Sequence, residues 1–276
     1  MTTHGQATPS TLQGKWGRYG PWALITGASD GIGRECAIAL ARQGMHLVLV
    51  ARRETVLAAL AEQLTRDYGV ACRVIAADLG IPDAAKALDD GTHDLDIGLV
   101  IAAAGFGTSG TFLSSDLDNE RDMLAVNCGS ALALSYLFGH RFGQRFEHGR
   151  RSGLILFSSL VGFQGVPGSA HYAATKGYIQ SLAEGIAPEF AAKGIDVLAT
   201  APGPVHTGFA SRAGIQMGKA LTPAQVVAAT LAALGHRTTV RPGWLSKLLG
   251  WSLATLPRWG RTRVLALIMR GMTKPD

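Results

Sequence analysis

From Trp22 onward, short unbroken apolar runs alternate with longer stretches in which apolar residues return every three to four positions. Continuous apolar runs of five or six residues are strands buried on both faces, and the longer periodic stretches are helices with one apolar side. The runs fall at 22–26, 46–50, 72–76, 97–102, 154–158, 195–200 and, more weakly, 238–240. Helices are expected at 31–43, 54–68, 82–88, 116–146, 170–192 and 223–234. Each intervening segment is long enough to carry the chain back across a parallel sheet. The pattern predicts an α/β fold, a doubly wound Rossmann-type parallel sheet of about seven strands flanked by helices. No Pro/Ser-rich linker and no fixed-period repeat divides it, so residues 21–242 are read as one domain. Residues 1–20 lack periodicity and are read as an N-terminal arm, and residues 243–276 as a helical C-terminal extension.

Composition narrows this picture. With 47% apolar and only 17% charged residues among 276, the chain can bury a large core and is not a disordered segment. The 35 glycines follow no triplet period, which excludes collagen and leaves tight turns as their use. Cys36, Cys72 and Cys128 show neither CxxC nor Cys/His spacing, so neither a disulfide framework nor a metal site is expected. The polar opening does not resemble a signal peptide, and a cytoplasmic protein is expected. Charge is uneven: the last 42 residues hold 8 basic residues against 1 acidic, while the body is nearly neutral. A neutral body without a recognised motif argues against a nucleic-acid partner.

The first candidate chemistry follows the first strand, where Thr26-Gly27-Ala28-Ser29-Asp30-Gly31-Ile32-Gly33 leads into an amphipathic helix. Glycines here let the backbone turn sharply and let a pyrophosphate approach the free N–H groups at the helix start. The spacing is Gly-x-x-x-Gly-x-Gly, one residue longer between its first glycines than the familiar fingerprint, and three glycines alone also suit a plain turn. After the second strand stand Arg52 and Arg53, where NAD-selective folds carry a carboxylate. A guanidinium suits a 2′-phosphate, so Arg52 points to NADP(H) in preference to NAD(H), with a solvated surface charge as the alternative. Asp78-Leu79 after the third strand is placed to meet an adenine.

The second candidate site joins Ser159, at the end of the fifth run, to Tyr172 and Lys176 on the next helix. Four residues apart, the phenol and the ammonium share one helix face. A cation beside a phenol favours its ionised form, and bringing its pKa from about 10 to about 7 takes roughly 4 kcal/mol. Lys176 and the positive ring of an oxidised nicotinamide together are the expected source of that shift. Ser159 has no His or acid in its motif, so a hydrolase triad is poorly supported. The expected reaction is carbonyl reduction: Ser159 holds the carbonyl oxygen, Tyr172 gives up its proton, and hydride arrives at carbon.

These motifs, with Ala103-Ala104-Gly105, Asn127 and Pro202-Gly203-Pro204-Val205-His206-Thr207, strongly resemble the short-chain dehydrogenase/reductase family in its single-domain, tyrosine-dependent form. The resemblance implies that Asn127 holds a water linking Lys176 to solvent, and that Lys176 also holds the nicotinamide ribose. It implies further that Pro202, Gly203, Val205 and Thr207 embrace the carboxamide, while Ala104 and Gly105 approach the adenosine half. Ala103 departs from the Asn that is common before Ala-Gly, and Asp30 from a Lys or Arg found in some NADP-dependent members. The stretches 18–23 and 189–197 look like the branch of 3-oxoacyl-CoA reductases and 17-beta-hydroxysteroid dehydrogenases, which implies an apolar ketone or alcohol as substrate. A homodimer or homotetramer is expected, and a non-catalytic NADP(H)-binding sensor is the alternative.

Two segments remain. Residues 210–219, with Met217, are expected to form a substrate lid or to pack in the core. The C-terminal extension reads as two basic amphipathic helices broken at Pro257, with no apolar run of membrane-spanning length. Its tryptophans suit three roles: resting on an anionic membrane surface, covering an apolar substrate, or packing on another subunit.

Overall fold

The computed structural model describes residues 14–213 and 220–270. Seven strands form the sheet: β1 (Trp22–Thr26), β2 (His46–Ala51), β3 (Cys72–Ala76), β4 (Ile97–Ala102), β5 (Ser152–Phe157), β6 (Ile195–Thr200) and β7 (Thr239–Val240). All are parallel, in the order β3-β2-β1-β4-β5-β6-β7. The order reverses between β1 and β4, and a crevice opens there at the carboxyl ends of the strands. Strand β5 begins before its apolar run because Ser152 and Gly153 pair with Ile195 and Asp196 through main-chain groups alone.

Ten helices are described: α1 (Gly31–Ala41), α2 (Glu54–Tyr68), α3 (Ala84–Asp90), α4 (Leu117–Leu124), α5 (Ser130–Glu147), α6 (Ala170–Ala191), α7 (Phe209–Ala213), α8 (Pro223–Ala233), α9 (Trp244–Ala254) and α10 (Arg258–Arg270). Alternate strand residues face opposite layers, as the two-residue repeat requires. Ile25, Leu47, Leu49 and Ile101 pack with α1, α2 and α8, whereas Leu24, Val48, Val100 and Leu154 pack with α3, α5 and α6. Each such side chain, withdrawn fully from water, contributes about 1.5–3 kcal/mol.

One expected helix is confirmed with a refinement, and two expectations are corrected. The helix expected over 116–146 is a single run, Leu117–Glu147, with a π-helical turn inside it at Ala125–Gly129. The arm does not extend to residue 20, since Gly14–Arg18 is a 3-10 turn and Trp16 and Tyr19 lie in the core. Tyr19 is fully buried and its hydroxyl donates to Asp196 Oδ2 at 2.7 Å. The helix expected at 82–88 is shifted to α3. Of the expected lid, α7 is described to Ala213, while Met217 lies outside the described residues.

By length and composition the segment Leu117–Glu147 is apolar enough to cross a membrane. Its Leu134, Phe138 and Phe142 are instead buried on the sheet. The extension folds as the two helices α9 and α10, separated at Pro257. Leu253 and Leu265 pack on Val166 and Ala173, and Gly203 N donates to Ser246 Oγ at 3.2 Å, which ties α9 to the end of β6.

Candidate active site

One cavity of about 640 Å³ runs along the crevice. At one end the chain must turn from β1 into α1 within a few residues, and glycines make this possible. Gly27 has φ of +68° and Gly31 of +51°. A Cβ on Gly33 would lie 2.3 Å from the Gly27 carbonyl oxygen, so only hydrogen fits between turn and helix. Asp30 caps α1 by accepting from Gly31 N at 2.7 Å.

The same end carries two guanidiniums. Arg52 Nη1 lies 3.7 Å from Asp78 Oδ2, and both side chains are exposed, so this weak pair leaves Arg52 available to an anion. Asp78 Oδ1 accepts from Gly80 N at 2.9 Å. Arg53, given no task of its own from sequence, donates to Ser29 Oγ at 3.0 Å and to Ser29 O at 3.2 Å, fixing the turn beside the cavity. Gly27, Ser29, Gly31, Ile32, Gly33, Arg52, Asp78, Leu79, Ala104 and Gly105 all line the cavity. Narrow glycine cradle, adjacent helix start and paired cations together fit a dinucleotide carrying phosphates.

At the other end, β5 delivers Ser159 and α6 delivers Tyr172 and Lys176. The Ser159 hydroxyl faces the same cavity as the Tyr172 phenol and accepts from Val161 N at 3.4 Å. Lys176 is 7% exposed, and its ammonium lies 5.7 Å from the centre of the Tyr172 ring and donates to Phe157 O at 2.8 Å. Pro202, Gly203, Val205 and Thr207 close this end, with the Thr207 hydroxyl accepting from Phe209 N at 3.2 Å.

Asn127 stands behind the cavity wall on the π-helical turn, buried. It accepts from Phe106 N at 3.0 Å through Oδ1, and its amide donates to Phe106 O at 2.9 Å and to Thr175 Oγ1 at 3.0 Å. Thr175 in turn donates to the Tyr172 carbonyl at 2.8 Å. The side-chain amide thus has both N–H groups committed to joining the segment after β4 to α6.

Burial decides the protonation of the pair. It pushes the Tyr172 phenol up to about 12, against the smaller opposing effect of the nearby Ser159 hydroxyl. It also draws the Lys176 ammonium down to about 8. In the dinucleotide-free chain the ammonium stands over the ring face and donates to a carbonyl, and the expected fall of the phenol toward neutrality concerns Lys176 together with a bound, oxidised nicotinamide. At neutral pH this arrangement presents a protonated phenol, an acid rather than a base.

Sequence reasoning missed the residues that α7 brings over the cavity. Phe209 lies 5.2 Å, centre to centre, from the Tyr172 ring, and the Arg212 guanidinium sits 3.8 Å from the centre of the Phe106 ring. Burial and the nearby Arg52 lower the Arg212 pKa. A five-residue helix is too short to show periodicity, and the one available signal was a lone Arg in a Gly- and Ser-containing segment.

A doubly wound sheet with a phosphate-sized glycine cradle and a Ser, Tyr, Lys set at the switch point defines a nucleotide-dependent oxidoreductase site. The family model for short chain dehydrogenase matches residues 21–217. A 7beta-hydroxysteroid dehydrogenase of Clostridium sardiniense is 35% identical over 190 residues, covering 69% of this chain and 71% of that protein. A very-long-chain 3-oxoacyl-CoA reductase of Lodderomyces elongisporus is 30% identical over 246 residues, covering 86% of this chain and 69% of the other. Among solved structures, a short-chain dehydrogenase from Sphingobium yanoikuyae in complex with NADPH superposes with a TM-score of 0.76 at 29% identity, covering 86% of this chain and 97% of that one. The chain belongs to the short chain dehydrogenase family, oxidoreductases of hydroxyl and carbonyl groups that bind a nicotinamide dinucleotide.

Proposed function

We propose that this chain is an NADP(H)-dependent ketoreductase, or secondary alcohol dehydrogenase in the reverse direction, for an apolar substrate such as a steroid-like ketone or a 3-oxoacyl thioester. The observation that carries this reading is that Ser159, Tyr172 and Lys176 line the same cavity as Arg52 and the glycine turn. The dinucleotide, when bound, supplies or accepts the hydride. In this reading Gly27, Ser29, Gly31 and Gly33 hold the pyrophosphate, Arg52 with Arg53 holds the 2′-phosphate, and Asp78 with Leu79 meets the adenine. Lys176 holds the nicotinamide ribose, and the Pro202 to Thr207 segment holds the carboxamide.

Ser159 donates a hydrogen bond to the substrate oxygen and so favours the charge that develops there. Tyr172, protonated at neutral pH, donates its proton to the same oxygen. Lys176 remains the local cation that stabilises the phenolate left behind, and Asn127 acts as a positioning residue that ties Phe106 to the Tyr172 helix. An apolar substrate is favoured by Leu160, Val161, Phe209 and Leu265 along the reacting end, and by the hydroxysteroid and very-long-chain 3-oxoacyl-CoA substrates for which the relatives are named. A second copy of the chain suits the outward row of Leu132 and Tyr136 on α5 beside Tyr178 on α6, all exposed. The test is NADPH oxidation over a panel of steroid ketones, 3-oxoacyl thioesters and diketones, with NADH in parallel. Turnover of at least one class, faster with NADPH, is expected; tight NADPH binding without turnover of any would contradict the reading.

A further inference from the structure

The C-terminal hairpin buries one side and leaves the other uncovered. On α9 the buried side carries Ser246 and Leu253, while Trp244, Lys247, Leu248 and Trp251, spaced three and four apart, share the opposite side. Trp244 is 74% and Trp251 76% exposed, values far above those of tryptophans that pack within a domain. On α10, Leu265 turns inward, and the row Trp259, Arg263, Leu267 turns outward at intervals of four, with the Arg263 guanidinium over the Trp259 ring. Leu253 and Leu265 meet in one cluster with Val166 and Ala173, so both outer sides lie away from the same patch of the domain.

The charge on this surface has one sign. No Asp or Glu stands between Asp196 and Asp276, whereas exposed Lys247, Arg258 and Arg263 lie among the outward tryptophans and leucines. We infer that the outer face of the α9–α10 hairpin docks on the surface of an anionic lipid bilayer. Tryptophan and leucine enter the boundary between headgroups and acyl chains, and the flanking cations meet lipid phosphates. A second copy on this face would bring cations against cations with no carboxylate to pair them. The uncharged row of Leu132, Tyr136 and Tyr178 is the better surface for self-association. A nucleic acid would leave the apolar part of the stripe facing water. Docking would also set the reacting end of the cavity, which Leu265 lines from the inner side of α10, close to the lipid. The inference stands on this surface alone and does not depend on the reductase reading.

The full-length chain should cosediment with vesicles of phosphatidylglycerol and phosphatidylcholine in equal parts about tenfold more strongly than with phosphatidylcholine vesicles. Raising the salt should weaken that binding, and tryptophan emission should shift to the blue on mixing. The double variants Trp244→Ser/Trp251→Ser and Lys247→Glu/Arg263→Glu should each lose about tenfold in binding while keeping the wild-type melting temperature and NADPH affinity. Equal partition onto both vesicle types, or none onto either, would overturn the inference. So would a wild-type oligomer that the tryptophan variant breaks to a smaller species, since a second copy would then cover this face. Because wild-type partition and its salt dependence need no variant, poor folding of a variant leaves the result decisive.

Discussion

The two ends of the cavity are built from different materials. The dinucleotide end is backbone and exposed cations: a turn that only glycine can make, Arg52 in a weak pair with Asp78, and Arg53 bonded to Ser29. The reacting end is side chains with little access to water: Lys176 and Asn127 are buried and Tyr172 is half-buried. The first end can change its affinity for a ligand without threatening the fold. At the second end each polar group is also part of the core, so chemistry and stability are coupled. The shift of Tyr172 away from neutrality follows from the same burial that holds it in place.

The largest effect should come from Tyr172→Phe, which removes the proton donor and keeps the ring: kcat should fall by about 10³-fold or more, with NADPH affinity nearly unchanged. Steady-state kinetics beside a binding titration checks this, and a similar loss in both would merge the two ends of the cavity into one. Next, Asn127→Ala removes three buried hydrogen bonds and should lower stability by about 3 kcal/mol, read from urea denaturation. Below about 1 kcal/mol, the bridge from β4 to α6 would not be structural.

Arg52→Ala with Arg53→Ala belongs to the other end. NADPH affinity should fall about thirtyfold and NADH affinity by less than about threefold, with the melting temperature retained. Equal losses for both dinucleotides would remove the 2′-phosphate from the account. The smallest effect is pH-dependent. Lys176 titrates in the folded chain near about 8, below its ordinary 10.5, so across that interval the unfolded chain binds more protons and stability rises with pH. Below this interval the burial cost is constant. The raised Tyr172 acts in the opposite sense, but only above its ordinary 10.0. From about pH 7 to about pH 9.5 the wild type should therefore gain about 2 kcal/mol over Lys176→Met. A constant difference would show that Lys176 titrates normally.

The contrast between the two ends also explains what could be read without coordinates. Strands buried on both faces announce themselves as apolar runs, and β1, β3, β4 and β6 lie where those runs do. The glycine turn was legible because backbone geometry restricts residue type there. Tyr172 and Lys176 were legible because an interval of four has one meaning on a helix. The π-helical turn at Asn127 was hidden, since one extra residue in a turn leaves the apolar rhythm nearly intact. Trp16 and Tyr19 were hidden because two aromatic residues in a short segment carry no period. The upward shift of Tyr172 in the dinucleotide-free chain was not legible for a different reason: spacing shows that a cation is near, but not how much water the fold has removed.

The protonation state of Tyr172 tests the account most directly, by ultraviolet difference titration of the dinucleotide-free wild type against Tyr172→Phe. Burial predicts no phenolate signal from Tyr172 through neutral and mildly alkaline pH, with ionisation only toward about 12. A phenolate that forms near neutral pH in the chain alone would contradict it, and would make Lys176 rather than burial the stronger influence on the phenol.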